Sequence, residues 1–265
     1  MSTLHFYKYH GTGNDFIIID DRNNFFDLTN NELVKKLCDR RFGIGADGLM
    51  LLQKSVDTDF QMLYYNSDGK PGSMCGNGGR CIVAFAKHLG IINERTTFKA
   101  IDGIHNAVII DYSENKSIVE LEMIDVSEVK SFDNYSILDT GSPHYVQFVD
   151  DAESININEI GPAIRYNSIY GKFGVNVNFV ELIDSHTLFV RTYERGVEAE
   201  TLSCGTGVTA SALVACSKSI LGGNEIDIIT KGGKLSVGFQ KNISSFVNVK
   251  LKGPAELVFE GEFQI

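Results

Sequence analysis

The sequence predicts a duplicated fold, rich in strands and sparing in helices, on three observations. After Ser73-Met74, the stretch Cys75-Gly76-Asn77-Gly78-Gly79-Arg80 opens an apolar run from Cys81 to Leu89 that stops at Gly90. A second stretch, Cys204-Gly205-Thr206-Gly207, opens a run from Val208 to Leu221 that stops at Gly222. Around both, short β-branched and aromatic segments are punctuated by glycine, asparagine and aspartate turns. A cysteine-glycine start, a buried helix and a glycine stop, written twice, is the mark of an internal repeat.

The elements follow in order. Phe6–Tyr9 and Phe16–Ile19 read as strands joined by the turn Gly11-Thr12-Gly13-Asn14. Thr29 or Asn30 caps a helix over Asn31–Arg41, with Leu33, Val34, Leu37 and Cys38 on one face. Gly43-Ile44-Gly45-Ala46-Asp47-Gly48 has the spacing of a dinucleotide fingerprint, but a helix precedes it and the β-like Leu49–Leu52 follows, the reverse of what that site needs. Phe60–Tyr65 is a strand ending in the turn Asn66–Gly69. Thr97–Lys99, His105–Tyr112 and Ser117–Met123 form a meander.

The second half restarts near Ile137 with a strand broken at Ser142-Pro143, then a short helix over Asn156–Ile164. The strands Asn176–Leu182 and Thr187–Tyr193 precede Glu194-Arg195-Gly196 and the second cysteine stretch. Cys204 follows Cys75 by 129 positions and Glu194 follows Asn66 by 128, so strand end and cysteine keep their relation. Matching Asn14 to Asn176 leaves about 34 extra residues in the first half, which predicts an insertion around the Asn31–Arg41 helix. The charged stretch Asp125–Asp133 marks the boundary.

Composition narrows the function. At 265 residues with 43% hydrophobic content the chain suits two domains. A net charge of −10 with no basic cluster argues against nucleic-acid and membrane-surface partners. Met1–Asp15 has no leader pattern and no window has the length of a membrane span, so a cytoplasmic location is expected. Five cysteines without a secretion signal read as thiols, and the lack of Cys-x-x-Cys or paired-histidine spacing argues against a metal.

Cys75 and Cys204 are therefore placed at helix N-termini, where unpartnered backbone N–H groups favour a thiolate and can hold a carboxylate. Two acid/base thiols on opposite faces of a carbon can invert it directly, one removing a proton and the other returning one. If both helix starts also bind the α-carboxylate of an amino acid, their amides stabilise the charge that develops, and no electron-sink cofactor is needed. Gly76, Asn77, Gly78, Gly205, Thr206 and Gly207 are small or amide-bearing, as this requires. Cys38, Cys81 and Cys216 are assigned to packing.

Gly13-Asn14-Asp15-Phe16, Gly43–Gly48, Met74–Arg80, Asn176-Val177-Asn178-Phe179, Tyr193-Glu194-Arg195-Gly196 and Cys204–Gly207 stand in the order found in the diaminopimelate epimerase family. The chain resembles that family over essentially its whole length. The resemblance implies two pseudo-symmetric α+β domains, each a mostly antiparallel sheet wrapped around a central buried helix. These would be residues 1–127, completed by a final strand at about 256–265, and residues 128–255, with the active site in the cleft between them. It implies a cofactor-independent epimerase interconverting LL- and meso-diaminopimelate for lysine and cell-wall precursor synthesis, and a homodimer. Cys75 and Cys204 match the acid/base pair, and Glu194 and His144 groups that assist at the reacting centre. Asn14 matches a contact there; Asn66, Asn176 and Arg195 match holders of the distal amino-acid group; Gly76, Asn77, Gly205 and Thr206 match the carboxylate-binding amides.

Two positions depart from the family pattern. Ser142 stands where many members have Asn, which puts one distal contact in doubt, and Gly48 where some have Gln. A proline or hydroxyproline racemase shares the two-thiol chemistry, but those relatives usually carry histidine where this chain has Asn77. A thiol redox protein and a binding domain without catalysis are the alternatives of another class; serine substitution of either cysteine separates them. Oxidation to a Cys75–Cys204 bridge is expected to inactivate reversibly.

Overall fold

The computed structural model describes residues 3–72 and 74–265; Ser73 lies outside them. The chain divides into two compact units, one running to Leu121 and completed by Gly253–Ile265, the other Glu122–Lys252. The sequence reading set the corresponding limits at 127/128 and about 255/256. No helix of the described residues is long and apolar enough to cross a membrane.

In the first unit, β1 (Thr3–Gly11) and β2 (Asn14–Asp20) form an antiparallel hairpin. α1 (Asn31–Cys38) carries the chain to β3 (Gly48–Gln53), parallel to β2, and β4 (Phe60–Asn66) returns antiparallel. α2 (Gly76–His88) leads to β5 (Arg95–Ala100), parallel to β4, and β6 (Gly103–Tyr112) and β7 (Lys116–Glu122) complete the meander. α1 starts where expected because the Asn30 side chain accepts from the Leu33 N–H. It stops three residues before Arg41, since the Asp39 carboxylate takes the Arg41 and Phe42 N–H groups at 2.7 Å each and Leu37 O takes those of Ile44 and Gly45.

The second unit holds the short β8 (Lys130–Ser131), the hairpin β9 (Ser136–Asp139) and β10 (Pro143–Phe148), and α3 (Ile157–Arg165). β11 (Asn176–Leu182) runs parallel to β10, and β12 (Thr187–Glu194) antiparallel to β11 with β13 (Ala199–Thr201) beside it. α4 (Gly205–Ser217) leads to β14 (Glu225–Thr230), parallel to β12, then β15 (Gly233–Lys241) and β16 (Phe246–Gln264). Strand β16 serves both units. Its part up to Lys252 pairs with β15, and from Gly253 onward it pairs with β7 and then β1, closing the first unit's eight strands into a ring.

Each ring or sheet encloses one helix. Ile82, Val83 and Phe85 of α2 are wholly buried, and each contributes about 1.5–3 kcal/mol of apolar burial. In the second unit Val208, Leu213 and Val214 of α4 pack against Val146, Val180, Val190, Ile228 and Val237. The outer faces of the same strands are covered too: α1 packs Val34 and Leu37 on Ile17, Ile19, Leu49 and Leu51, while Ile157 of α3 joins Tyr145, Val177 and Phe179. Strands buried on both faces explain the continuous apolar runs of β2 and β3.

Matching element order and register corrects the repeat. Phe16 pairs with Gly48 and Leu49 with Tyr65; His144 pairs with Asn176 and Val177 with Tyr193. All are related by the same shift of 128 positions. α3 fills the place of α1, so the first half has no insertion. Matching Asn14 to Asn176 had paired the start of β2 with the start of β11; the counterpart of Asn176 is Gly48, and that of Asn14 is Ser142. A second correction concerns the end of α4, which stops at Ser217 rather than reaching Leu221 and Gly222. Ser219, at φ +57, turns the chain there, donating to Cys216 O while Ile220 donates to Ala215 O.

Candidate active site

Cys75 occupies the N-cap position of α2 in extended conformation, φ −116 and ψ 127. The peptide N–H groups that follow it, beginning with Gly76 and Asn77, belong to the turn that lacks partners inside a helix. Its sulfur lies 3.5 Å from Asn14 Oδ1, and Asn77 Nδ2 is at the same distance from that oxygen. The orientation of Asn14 is not arbitrary. Its Nδ2 donates to Asp47 Oδ2 at 2.7 Å, which turns the carbonyl oxygen toward the thiol. Asp47 in turn accepts from Arg40, which also bridges to Asp15, and Lys8 completes the cluster. Burial alone would raise the Asp15 carboxyl, but hydrogen bonds from Arg40 and Lys8 outweigh it and hold it down at about 2.

Arg80, one turn into α2, is wholly buried. It donates to Asn77 Oδ1 at 2.9 Å, Gly76 O at 3.2 Å, Thr12 Oγ1 at 3.3 Å and Pro254 O at 3.3 Å. Burial lowers its pKa to about 10, against a favourable interaction with Cys81 and Cys75 in their ionised forms, so it stays a cation at neutral pH. Asn66 stands at the end of β4 opposite Gly48. Gly48 is required there: a Cβ would come within 2.5 Å of the Tyr64 ring.

The second unit gathers His144, Asn176, Glu194 and Arg195 at neighbouring ends of β10, β11 and β12. Arg195 N–H donates to Asn176 Oδ1 at 2.8 Å. Ser142 Oγ accepts from both the Arg195 guanidinium and Asn176 Nδ2 at 3.1 Å, so the serine that departs from the family pattern orients two of the predicted distal-group residues. His144 is fully buried, and burial, then the Arg195 charge, push its pKa down to about 3 despite a bond from Asn178; the ring is neutral. Cys204 is the N-cap of α4, φ −120 and ψ 111, its sulfur 3.5 Å from Thr206 Oγ1. Thr140, in the β9–β10 turn, donates to Thr206 O at 2.9 Å and fixes that first turn.

Each unit thus brings its own predicted residues together: Cys75, Gly76, Asn77 and Asn14 in the first, with Asn66 at the nearby strand end, and His144, Asn176, Glu194, Arg195, Cys204, Gly205 and Thr206 in the second. Sequence reasoning missed Asp47, Arg80 and Asn178. Asp47 lay in the glycine motif examined as a nucleotide site, and Asn178 stands two residues after Asn176, hence on the same strand face. No group of three His, Cys, Asp or Glu placed to hold a metal occurs among the described residues.

The model of the diaminopimelate epimerase family matches residues 6–126 and 136–258. The chain is 55% identical over 254 residues to the diaminopimelate epimerase of Flavobacterium psychrophilum, covering 96% of this chain and 98% of that protein. It is 36% identical over 274 residues to that of Aquifex aeolicus, covering 97% of each. Among solved structures, a PhzF-family phenazine biosynthesis protein of Bacillus anthracis superposes with TM-score 0.78 at 15% identity, covering 100% of both chains. A hydroxyproline epimerase from Agrobacterium vitis, solved with bound trans-4-hydroxy-L-proline, superposes with TM-score 0.74 at 14% identity over 98% of this chain and 92% of that one. At such identities these two establish the two-domain α+β fold alone.

Proposed function

The chain belongs to the diaminopimelate epimerase family, and from that premise we propose that it interconverts LL- and meso-diaminopimelate with Cys75 and Cys204 as the acid/base pair. It is an isomerase. The observation that carries the assignment of the pair is that both cysteines cap buried helices with glycine-rich first turns, in corresponding places of a repeat.

Inversion needs one thiolate to remove the α-proton from one face while the other thiol delivers a proton to the opposite face. The amides of Gly76, Asn77, Gly205 and Thr206 bind the α-carboxylate and, as the proton leaves, the enediolate-like charge that develops on it. His144, neutral and buried, offers a hydrogen bond at the reacting centre, and Glu194 acts beside it. Asn14, held by Asp47, presents its carbonyl oxygen to Cys75 and supports the thiol form of that residue. Asn66, Asn176 and Arg195 take the distal amino-acid group, the last two oriented by Ser142. The chemistry calls for no cofactor. A cytoplasmic location and a homodimer complete the reading and are checked by cell fractionation and light scattering.

The test is proton–deuterium exchange at the α-carbon of LL-diaminopimelate in D2O, followed by NMR with reduced protein and no added cofactor. Deuterium entering with conversion to the meso form is expected, and Cys75→Ser or Cys204→Ser should slow conversion by at least about 100-fold. No exchange from protein with intact thiols overturns the substrate, and exchange into proline instead would move the assignment to the racemases.

A further inference from the structure

We propose that Asn178 fixes which nitrogen of His144 carries the proton, locking the ring as the neutral tautomer protonated at Nε2. His144 is then a fixed hydrogen-bond donor and not a proton-accepting base. The lock stands on geometry within the second unit; what the donor does, bonding an anionic oxygen or sulfur at the reacting centre, rests on the function proposed above.

The side chains of His144, Asn178 and Thr192 lie in a row across β10, β11 and β12, beneath the start of α4. Asn178 Nδ2 is 2.8 Å from Tyr145 O, a backbone carbonyl that can only accept, so the atom there is the amide nitrogen. The other end agrees: Thr192 Oγ1 donates to Asn178 Oδ1 at 2.9 Å. The carboxamide therefore cannot flip. Its second N–H faces His144 Nδ1 at 3.1 Å, which requires a lone pair on that nitrogen. In a neutral imidazole the proton must then be on Nε2.

The contact at Nε2 is with Asn176 Nδ2 at 3.4 Å, and Asn176 has its own orientation set by the Arg195 N–H on its Oδ1. Asn176 Nδ2 has other acceptors for its hydrogens, Ser142 Oγ at 3.1 Å and Pro143 O at 3.5 Å, so of the two amides facing the ring it is the closer one, Asn178, that takes the lone pair, and the Nε2 proton is left for a ligand. Protonating Nδ1 as well would set a donor against the locked amide, and full burial opposes the added charge. Gly207 shows how closely Asn178 is seated. A Cβ at Gly207 would stand 2.4 Å from Asn178 Oδ1 and 3.3 Å from Cys204 Cβ, so this glycine lets the lock and the catalytic helix share one space.

Nitrogen-15 NMR of histidine-labelled protein tests the lock directly. The chain has six histidines, and the His144 signals are those missing from His144→Gln. The expected spectrum has an imine-type Nδ1 and a pyrrole-type Nε2 bearing a proton, unchanged between about pH 8 and about pH 5. A protonated Nδ1, in either the other tautomer or the imidazolium, overturns the proposal. Asn178→Asp replaces the donor with an acceptor and should move the proton to Nδ1, lowering kcat at least about tenfold with KM nearly unchanged. Asn178→Ala, with the lock removed and no charge added, should give a mixture of tautomers; an unchanged Nε2–H spectrum in either variant that folds overturns the proposal. If neither folds, the wild-type spectrum decides alone. Wild-type protein that shows the expected tautomer but no epimerisation would refute the function and leave the lock standing.

Discussion

The two cysteine-capped helices share a skeleton and differ in what lies under their first turn. In α2 the carbonyl of the first residue, Gly76, accepts from a buried guanidinium, Arg80; in α4 the carbonyl of Gly205 accepts from a neutral hydroxyl, Thr209, at 2.9 Å. The positions correspond, 129 apart like the cysteines. Around Cys75 the supporting groups are charged, running through Arg80, Asp47, Arg40 and Lys8. Around Cys204 and His144 they are amides and hydroxyls: Asn178, Thr192, Thr140 and Thr206. The repeat preserved the cysteine-capped helix start and left each half free to choose how to brace it.

The difference predicts unequal sensitivity. Arg80→Met strips a donor from four acceptors, two of them backbone carbonyls, and removes a buried cation; the expected loss is about 4 kcal/mol of stability. Thr209→Val keeps the volume and gives up one bond to a helical carbonyl that already has a helix partner, so it should cost at most about 1 kcal/mol. Urea melts of both variants decide it. Equal losses would mean that the two braces are equivalent and that the charge under α2 is incidental.

Acid should tell the halves apart as well. His144 titrates at about 3 when folded against its ordinary 6.5, so the unfolded chain takes up a proton first. Its neutral burial stabilises fully above pH 6.5, and that contribution, on the order of 5 kcal/mol, is lost as pH falls toward 3. Asp15, lowered from 3.8 to about 2, contributes above pH 3.8 and loses its share as pH falls toward 2. Partial exposure of its partners limits that share to about 1 kcal/mol. The second unit should therefore weaken first on acidification. Hydrogen exchange at pH 5 compared with pH 7 should show α4 opening before α2, and His144→Gln should flatten the stability curve between pH 6.5 and 3. Equal opening of the two helices would break the comparison.

What the sequence disclosed follows the same division. Glycine-bearing features were legible: the turn at Gly13 and the stop at Gly90 need a positive φ that few other residues serve, and the glycines that follow Cys75 and Cys204 mark both helix starts. Features set by side chains reaching across strands were not. Asp39 ended α1 early by offering its carboxylate to two amides, an option the apolar pattern of the helix does not reveal. The repeat was misaligned because Asn14 and Asn176 share a residue type, whereas strand register relates Asn176 to Gly48. Asp47 and Asn178 are legible only in the folded strands, where Asp47 holds the Asn14 amide and Asn178 faces the His144 ring.

The smallest effect concerns the helix ends, and it tests whether the repeat is equally well made in both halves. α2 and α4 close with the same pair of bonds, Gly90 to Lys87 O and Ile91 to Ala86 O in one, Ser219 to Cys216 O and Ile220 to Ala215 O in the other. The turning residue has φ +68 at Gly90 and +57 at Ser219. A side chain is strained in that conformation by about 1 kcal/mol, and glycine is not. Ser219→Gly should thus raise stability by about 0.5–1 kcal/mol, the relief of strain outweighing the extra freedom of the unfolded chain, whereas Gly90→Ala should lower it by about 1 kcal/mol although nothing lies within 4 Å of the added methyl. Thermal melts of the two variants should shift in opposite directions. A shift of the same sign in both would mean that Ser219 is held by something other than its backbone turn, and that the ends of the two helices are alike in geometry but not in energy.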